Sequence, residues 1–487
     1  MKRIFFLFTF IIVNIILAGQ TVETDHNCST IIIGKDASAT GHLIVAHNED
    51  DGGRQIVNFY KVQARDNPKN QIIRFKEGAA EQQVSHSYSF LWFEMPGQDF
   101  ADTYMNENGV IVTSNSCPSK ERFGEIVDGG IGYELRRLIA ERSLSARVGV
   151  ELAGELVEKW GYCGSGRTYT IADKNEAWIF AVVRGKQWVA QRVPDDHVAF
   201  IPNYYTIKEI DLNDSENFLS SKDLVSYAER RGWYNRERDS VFNFSKVYSA
   251  ENELTSMGNI GRMWMGVNLL SGADFKISDS FPVTFIPEKK IGIKELMQVL
   301  ANHYENTQLD DSDGYKKGSP HSIKTKAICA PTQQFSFIAE LRSGMTFDIG
   351  GRIWFAPGRG CVNAYMPFYF GITQIPPSLT MDTPELAYEE HFKRSESIYD
   401  RTRPMAWWSF VAVTEAADQD YGKKIEQRRR SKDDLQQQYT KMSAQLEKDY
   451  LPVYKKQPDK AAALINNFEK QVLEKAITEN NKFLGKK

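Results

Sequence analysis

Residues 28–50 read Cys-Ser-Thr-Ile-Ile-Ile-Gly-Lys-Asp-Ala-Ser-Ala-Thr-Gly-His-Leu-Ile-Val-Ala-His-Asn-Glu-Asp. A branched apolar run over 29–34, turn residues over 35–41 and a second apolar run over 42–48 predict a β-hairpin. Hairpin strands run antiparallel, so the end of the second run returns to the start of the first and brings His47, Asn48, Glu49 and Asp50 near Cys28. Further strand-like runs follow at 109–114, 168–172, 177–183, 187–193 and 198–202, several separated by short Gly, Asn or Asp turns. Apolar residues at three- and four-residue spacing over 132–142 and 147–160 predict amphipathic helices. A helix over 293–304 and strands over 334–342 and 351–355 come later. Strands and helices gathered into runs indicate an α+β layered fold.

Outward from this core the ends differ in kind. Met1, Lys2 and Arg3 precede an apolar run from Ile4 to Leu17 broken only by Thr9 and Asn14, then Ala18 and Gly19. That order is a secretory signal peptide, and the run is short of the roughly 20 apolar residues a spanning helix needs. Gln20 and Thr21 stand where a lipoprotein would carry cysteine. Export without stable membrane insertion is expected, to the periplasm or outside. Beyond about residue 416 the chain turns to Lys, Glu, Gln, Asp and Ala with a break at Pro452, which reads as an antiparallel helical pair. The expected partition is a signal peptide at 1–19, a short propeptide at 20–27, a catalytic domain at 28–415 and a helical extension at 416–487.

The chain has 487 residues, 60 Lys+Arg against 63 Asp+Glu, 41% hydrophobic residues and five cysteines. This composition excludes disordered, collagen-like and disulfide-scaffold classes. Near-neutral charge argues against nucleic acid as a partner. The sequence leaves room for a homo-oligomer. An odd cysteine count leaves one thiol over even after complete pairing in an oxidising compartment.

Cys28 is the candidate for that thiol. A cut before it would give it a free α-amine, which titrates at about 7.7–8.0 in model peptides and can take a thiol proton near neutral pH. One residue then supplies nucleophile and base. The competing reading pairs Cys28 with Cys117, Cys163, Cys329 or Cys361, of which Cys329 and Cys361 lie in strand-like surroundings and could bridge each other. No metal cluster is expected: His303 and Glu305 are at a spacing that does not put two ligands on one helical face, and no second His/Cys pair accompanies them. Gly161, Gly164 and Gly166 lack phosphate-loop spacing, so no cofactor is expected. Residues 95–97, with Trp92 and Phe93, read as a packed loop able to wall a cleft.

The stretch from Cys28 to Ser38, with Gly41 and Asn48-Glu49-Asp50, resembles the mature start of bacterial dipeptidase A enzymes. These are N-terminal-nucleophile (Ntn) cysteine hydrolases related to choloylglycine (bile-salt) hydrolases and penicillin V acylases. The resemblance continues at 106–110 to Asn115, at Pro202-Asn203, at 303–307, and at 337–342, 350–354 and 367–372. It implies an Ntn-hydrolase αββα sandwich of four layers with antiparallel sheets. It also implies a cysteine dipeptidase acting on small peptides through a thioester. By the same resemblance Cys28 matches the nucleophile exposed by self-cleavage after Asn27, and Asp50 the acid that holds the nucleophile and its amine. Asn115 and Asn203 match positions around the oxyanion, and Arg262 a site arginine. His47 stands where the family usually has arginine and, with Asn48, is expected at the substrate. Arg342 or Arg262 is a candidate for a substrate terminus. Two alternatives remain open at this point: an amidase acting on N-acyl amino acids or bile-salt-like amides, and an inactive secreted binding protein on the same scaffold.

Overall fold

A computed structural model describes residues 27–51, 56–322 and 326–486. The expected signal peptide and residues 20–26 of the expected propeptide lie outside the described residues. Fourteen strands and seven helices suffice to place the site. The strands are β1 (Ser29–Ile33), β2 (Leu43–Asp50), β3 (Asn58–Val62), β4 (Phe90–Glu94), β5 (Thr103–Asn106), β6 (Ile111–Ser116), β7 (Tyr162–Ala172), β8 (Ala177–Gly185), β9 (Trp188–Val193), β10 (Val198–Ile201), β11 (Phe218–Ser220), β12 (Gln333–Leu341), β13 (Gly351–Pro357) and β14 (Met366–Tyr369). The helices are α1 (Glu134–Arg142), α2 (Ala146–Trp160), α3 (Met257–Ser271), α4 (Ile293–Leu300), α5 (Trp407–Asp418), α6 (Tyr421–Tyr454) and α7 (Pro458–Phe483).

The hairpin read from residues 28–50 is present as β1 and β2. It sits in a six-stranded sheet of order β10-β1-β2-β12-β13-β14, facing an eight-stranded sheet of order β11-β9-β8-β7-β6-β5-β4-β3. Every pairing in both sheets is antiparallel. Helices α1 and α2 cover the outer face of the eight-stranded sheet, while α3 and α4 cover the six-stranded one against β10, β2 and β12. The order is therefore helix, sheet, sheet, helix, and the α+β expectation takes the form of a four-layer sandwich. Ile31, Ile33, Val45 and Phe337 are among the fully buried residues of its principal core.

The local reasons are visible in α2. Ser145 caps it by accepting from the Val148 amide at 3.3 Å, and Gly161 ends it at φ 79, a conformation that favours glycine. Val150, Ala153, Leu156 and Val157 point into the sandwich. The tail differs in detail from expectation. Pro452 lies within α6, and the chain turns only after Tyr454. Helix α7 returns along α6, and both lie against β14. Arg342, a candidate for a substrate terminus, is taken by this tail: its Nη1 donates to Glu447 Oε1 at 3.0 Å.

Two expectations are corrected here. Cys329 and Cys361 lie in loops before β12 and after β13, not in strands, and all five cysteines are free. The helix expected over 293–304 ends at Leu300, so His303 and Glu305 sit in a loop. There the fold brings His321, Cys329 and Cys361 to His303, a grouping that local spacing did not reveal. Among the described residues no helix is long and apolar enough to cross a membrane.

Candidate active site

Register decides which side chains meet. In the hairpin Ser29 faces Asn48 and Thr30 faces His47. Opposite residues share a face of the sheet. Cys28, Thr30, His47 and Glu49 thus point between the sheets, while Ser29, Asn48 and Asp50 point to the helical layer. Thr30 Oγ1 confirms the first direction by donating to Asn115 Oδ1 on the opposite sheet at 2.5 Å. Ser29 confirms the second by receiving Arg262 Nη1 at 3.3 Å.

A continuous polar chain starts at the sulfur. Cys28 Sγ donates to Glu49 Oε1 at 3.1 Å and lies 3.6 Å from the Asp50 carbonyl. Glu49 Oε2 meets His47 Nε2 at 3.1 Å, and His47 Nδ1 meets Thr30 Oγ1 at 2.7 Å. Because the Thr30 proton is committed to Asn115, Nδ1 is assigned as the donor to Thr30. Burial pushes the Cys28 thiol well up, and the neighbouring Glu49 charge adds to it. The sulfur needs a base to become a nucleophile.

Arg262, from α3, closes the other side. It is 1% exposed. Its Nη1 donates to the Asn27 carbonyl at 2.8 Å and also to the Cys28 carbonyl. Its Nη2 donates to Asn203 Oδ1 and Asn259 Oδ1, each at 2.8 Å, and its Nε to the Gly258 carbonyl at 2.9 Å. The guanidinium fork thus holds the Asn27–Cys28 segment against two asparagines. Asp50 is fully buried on the same side. Burial pushes its carboxyl up to about 6, opposed by Thr332, the Arg262 cation and Asn27.

The three asparagines from the sequence reading occupy different places. Asn115 Nδ2 donates to the Ile201 carbonyl at 3.0 Å and Asn203 Nδ2 to the Ser116 carbonyl at 2.9 Å. Both amides tie the two sheets together beside the sulfur. Asn48 lies on the helical face, donating to Leu300 O at 2.9 Å and Ile328 O at 2.8 Å and accepting from Ser336 Oγ at 2.6 Å. The structure brings Cys28, His47, Asp50, Asn115, Asn203 and Arg262 together and sets Asn48 behind the strand.

A cavity of about 310 Å³ opens on the sulfur. Cys28, Glu49, Asp51, Phe100, Ser116 and Arg167 line it, together with residues 97–99; of the 95–97 loop expected to wall a cleft, Gly97 alone is among the lining residues. Arg167 is aimed there by an irregularity in β7: the pairing with β8 shifts register between Tyr162 and Gly166. Gly166 has φ 138, and a Cβ on it would stand 2.2 Å from the Tyr205 hydroxyl, so only glycine fits. Arg167 Nη1 donates to Ser114 Oγ at 3.2 Å, and its guanidinium lies 4.3 Å from the centre of the Phe100 ring.

The family model of peptidase family C69 matches residues 27–434. The chain belongs to peptidase family C69. Among relatives, it is similar to a probable dipeptidase of Salmonella dublin, 27% identical over 376 residues covering 72% of this chain and 82% of that protein. It is also similar to dipeptidase A of Lactobacillus helveticus, 26% identical over 369 residues covering 72% and 76%. Among solved structures, penicillin V acylase of Agrobacterium tumefaciens aligns at 10% identity and a TM-score of 0.33, covering 70% of this chain and 86% of that one.

Sequence reasoning passed over Glu49 as an individual and Arg167 altogether. Strand parity was the available signal for Glu49, since the thiol and the residue two beyond His47 share a face. For Arg167 the signal was the glycine-rich stretch before it, which failed as a phosphate loop but marks a bulge.

Proposed function

We propose that this member of peptidase family C69 is an exported cysteine dipeptidase that uses Cys28 first on its own backbone and then on substrate. The observation that carries this reading is the pairing of the Cys28 sulfur, on the wall of the cavity, with an Asn27 carbonyl held at 2.8 Å by Arg262. In the first reaction Cys28 Sγ attacks the Asn27 carbonyl carbon, and the thiol proton passes by way of Glu49 to the departing nitrogen. The C–N bond breaks, the acyl group moves to sulfur as a thioester, and the nitrogen becomes the α-amine of Cys28. Water hydrolyses the thioester, leaving a carboxylate on Asn27 and a free thiol. Arg262 stabilises the oxyanion formed at Asn27.

In the second reaction the amine takes the thiol proton, and the ammonium is held beside the Asp50 carboxyl. The thiolate attacks the peptide carbonyl of a dipeptide, the ammonium returns the proton to the leaving amine, and water hydrolyses the acyl-enzyme. Asn115 and Asn203 act as positioning residues that fix the sheets around the sulfur. The cavity walls offer three carboxylates, Glu49, Asp51 and Asp99, the last ion-paired with Lys76, and one buried cation, Arg167. That is the charge complement of a short zwitterion with a free amine and a free carboxylate. The similarity to proteins described as dipeptidases supports the same substrate class, and the basic, apolar, small-residue order of residues 1–19 supports export.

Cys28→Ala tests the reading. Turnover of a dipeptide panel should fall by about 10³-fold or more, with the Asn27–Cys28 bond intact and the thermal transition preserved. Full turnover by a folded Cys28→Ala protein would refute the mechanism, and preference for N-acyl amino acids over dipeptides would refute the substrate class.

A further inference from the structure

About the loops that follow α4, β12's upstream turn and β13, four side chains converge from distant parts of the chain. His303 and His321 bring their Nε2 atoms to 3.0 Å, and Cys329 Sγ and Cys361 Sγ each lie 3.7 Å from His321 Nε2. All four ligating atoms fall within 4.8 Å of one another. A tetrahedral zinc with Zn–N of about 2.0–2.1 Å and Zn–S of about 2.3 Å sets its ligand atoms about 3.3–3.8 Å apart. The cluster is buried, His321 being its most exposed member at 8%.

The hydrogen bonds of the two imidazoles give an independent argument. His303 Nδ1 meets Glu305 Oε1 at 3.1 Å, and His321 Nδ1 meets Asp418 Oδ1 at 2.7 Å. An ionised carboxylate only accepts, so each Nδ1 donates outward and each Nε2 is the ring atom turned inward, towards the other ring and the sulfurs. Two inward-facing ring nitrogens and two sulfurs thus converge on one point, which is the donor set a tetrahedral cation takes. The carboxylates are themselves fixed: Glu305 accepts from the Tyr315 hydroxyl at 2.5 Å, and Asp418 from Ser319 Oγ at 2.7 Å and from Arg359. Histidine backed by an anchored carboxylate is the arrangement that orients metal ligands.

We propose that His303, His321, Cys329 and Cys361 form a structural site for a divalent d10 cation of the zinc class. Binding releases the two thiol protons and involves no redox step. Two thiolates neutralise the ion, as a buried site requires. The site staples three loops to the C-terminal helices through Asp418, at the end of α5. It also steadies the segment whose Ile328 carbonyl holds Asn48 and whose Thr332 lies against Asp50. A cavity of about 690 Å³ that includes Glu305 and Cys361 in its walls gives the ion a route in. Thiolates held by zinc would also escape pairing with each other in an oxidising compartment.

The test uses the full chain, purified under reducing conditions and dialysed against metal-free buffer. Elemental analysis should find one zinc per chain, in the wild type and equally in Cys28→Ala, so that the result is independent of the catalytic reading. Cys361→Ser and His303→Ala should lose it, with a lower Tm. Should those variants not fold, cobalt exchanged into wild-type protein should show thiolate-to-cobalt charge transfer and intense tetrahedral d–d bands. Wild-type protein that takes up no zinc on refolding with it, a Cys329–Cys361 cystine in the purified chain, cobalt spectra without thiolate bands, or full zinc content in folded Cys361→Ser and His303→Ala would each overturn the proposal.

Discussion

Two clusters in this molecule combine cysteine, histidine and carboxylate, and their wiring differs. At Cys28 the carboxylate stands between thiol and imidazole: Glu49 receives the sulfur at 3.1 Å and reaches His47 on its other oxygen. At the second cluster the carboxylates stand behind the imidazoles, and sulfur and ring nitrogen face one another. The first arrangement leaves the sulfur on a cavity wall, flanked by a proton acceptor and without a lone pair from histidine. The second surrounds an enclosed point with four donors. The same residue types therefore leave a thiol on a cavity wall in one place and turn four ligand-type atoms towards one another in the other, and what differs is the side of the imidazole on which the carboxylate lies.

That contrast is sharpened first at Arg262. Replacing it by lysine keeps the charge but loses the fork that spans the Asn27 and Cys28 carbonyls and two asparagines. With hydrogen bonds to charged groups contributing about 1.5–3 kcal/mol each, cleavage after Asn27 should slow by about 10²-fold in Arg262→Lys. Pulse-chase mass spectrometry reads this directly, and zinc content should not change.

Asp50 gives the next effect. Its folded value of about 6 lies above the ordinary 3.8, so the folded protein binds its proton more tightly than the unfolded chain. By linkage, the contribution of Asp50 to stability is fully present below pH 3.8 and is lost as pH rises to about 6. On the proposed mechanism turnover uses the ionised form beside the amine and should rise over an acid limb near pH 6. Asp50→Asn should remove that limb from the kcat/KM profile and flatten unfolding stability across the same range.

Arg167→Met should raise KM for dipeptides by about 10-fold while leaving peptides with an amidated C-terminus unaffected, the value of one charge-assisted contact. A matched loss on both substrates would place the carboxylate elsewhere. Asn48→Ala has the smallest expected effect on chemistry. It leaves the Leu300 and Ile328 carbonyls without their donor and should cost about 1–3 kcal/mol of stability, with KM unchanged. A raised KM at unchanged stability would return Asn48 to the substrate.

The hairpin at 28–50 was legible because its turn chemistry and branched runs are local, and local pattern carried β6 to β10, α1 and α2 as well. Strands β3, β4 and β5 were not read, because Asn58–Val62, Phe90–Glu94 and Thr103–Asn106 are buried on both faces and show no alternation. Helix α3, which delivers Arg262, has glycines at 258, 261 and 266 that blur its periodicity, and Gly266 exists because the Phe200 ring stands 2.3 Å from where its Cβ would be. At the site, Cys28, His47 and Asp50 could be placed because they are neighbours across one turn. The second cluster draws on residues 303, 321, 329 and 361, and no local period joins them.

The central claim is that the sulfur of Cys28 ends up beside an amine belonging to the same residue. An intact-mass spectrum of the protein recovered after export, with and without thiol alkylation, measures this most directly. The account predicts a chain beginning at Cys28 with a free α-amine and an alkylatable thiol at that residue. A fully active protein whose chain still includes Asn27 would contradict it.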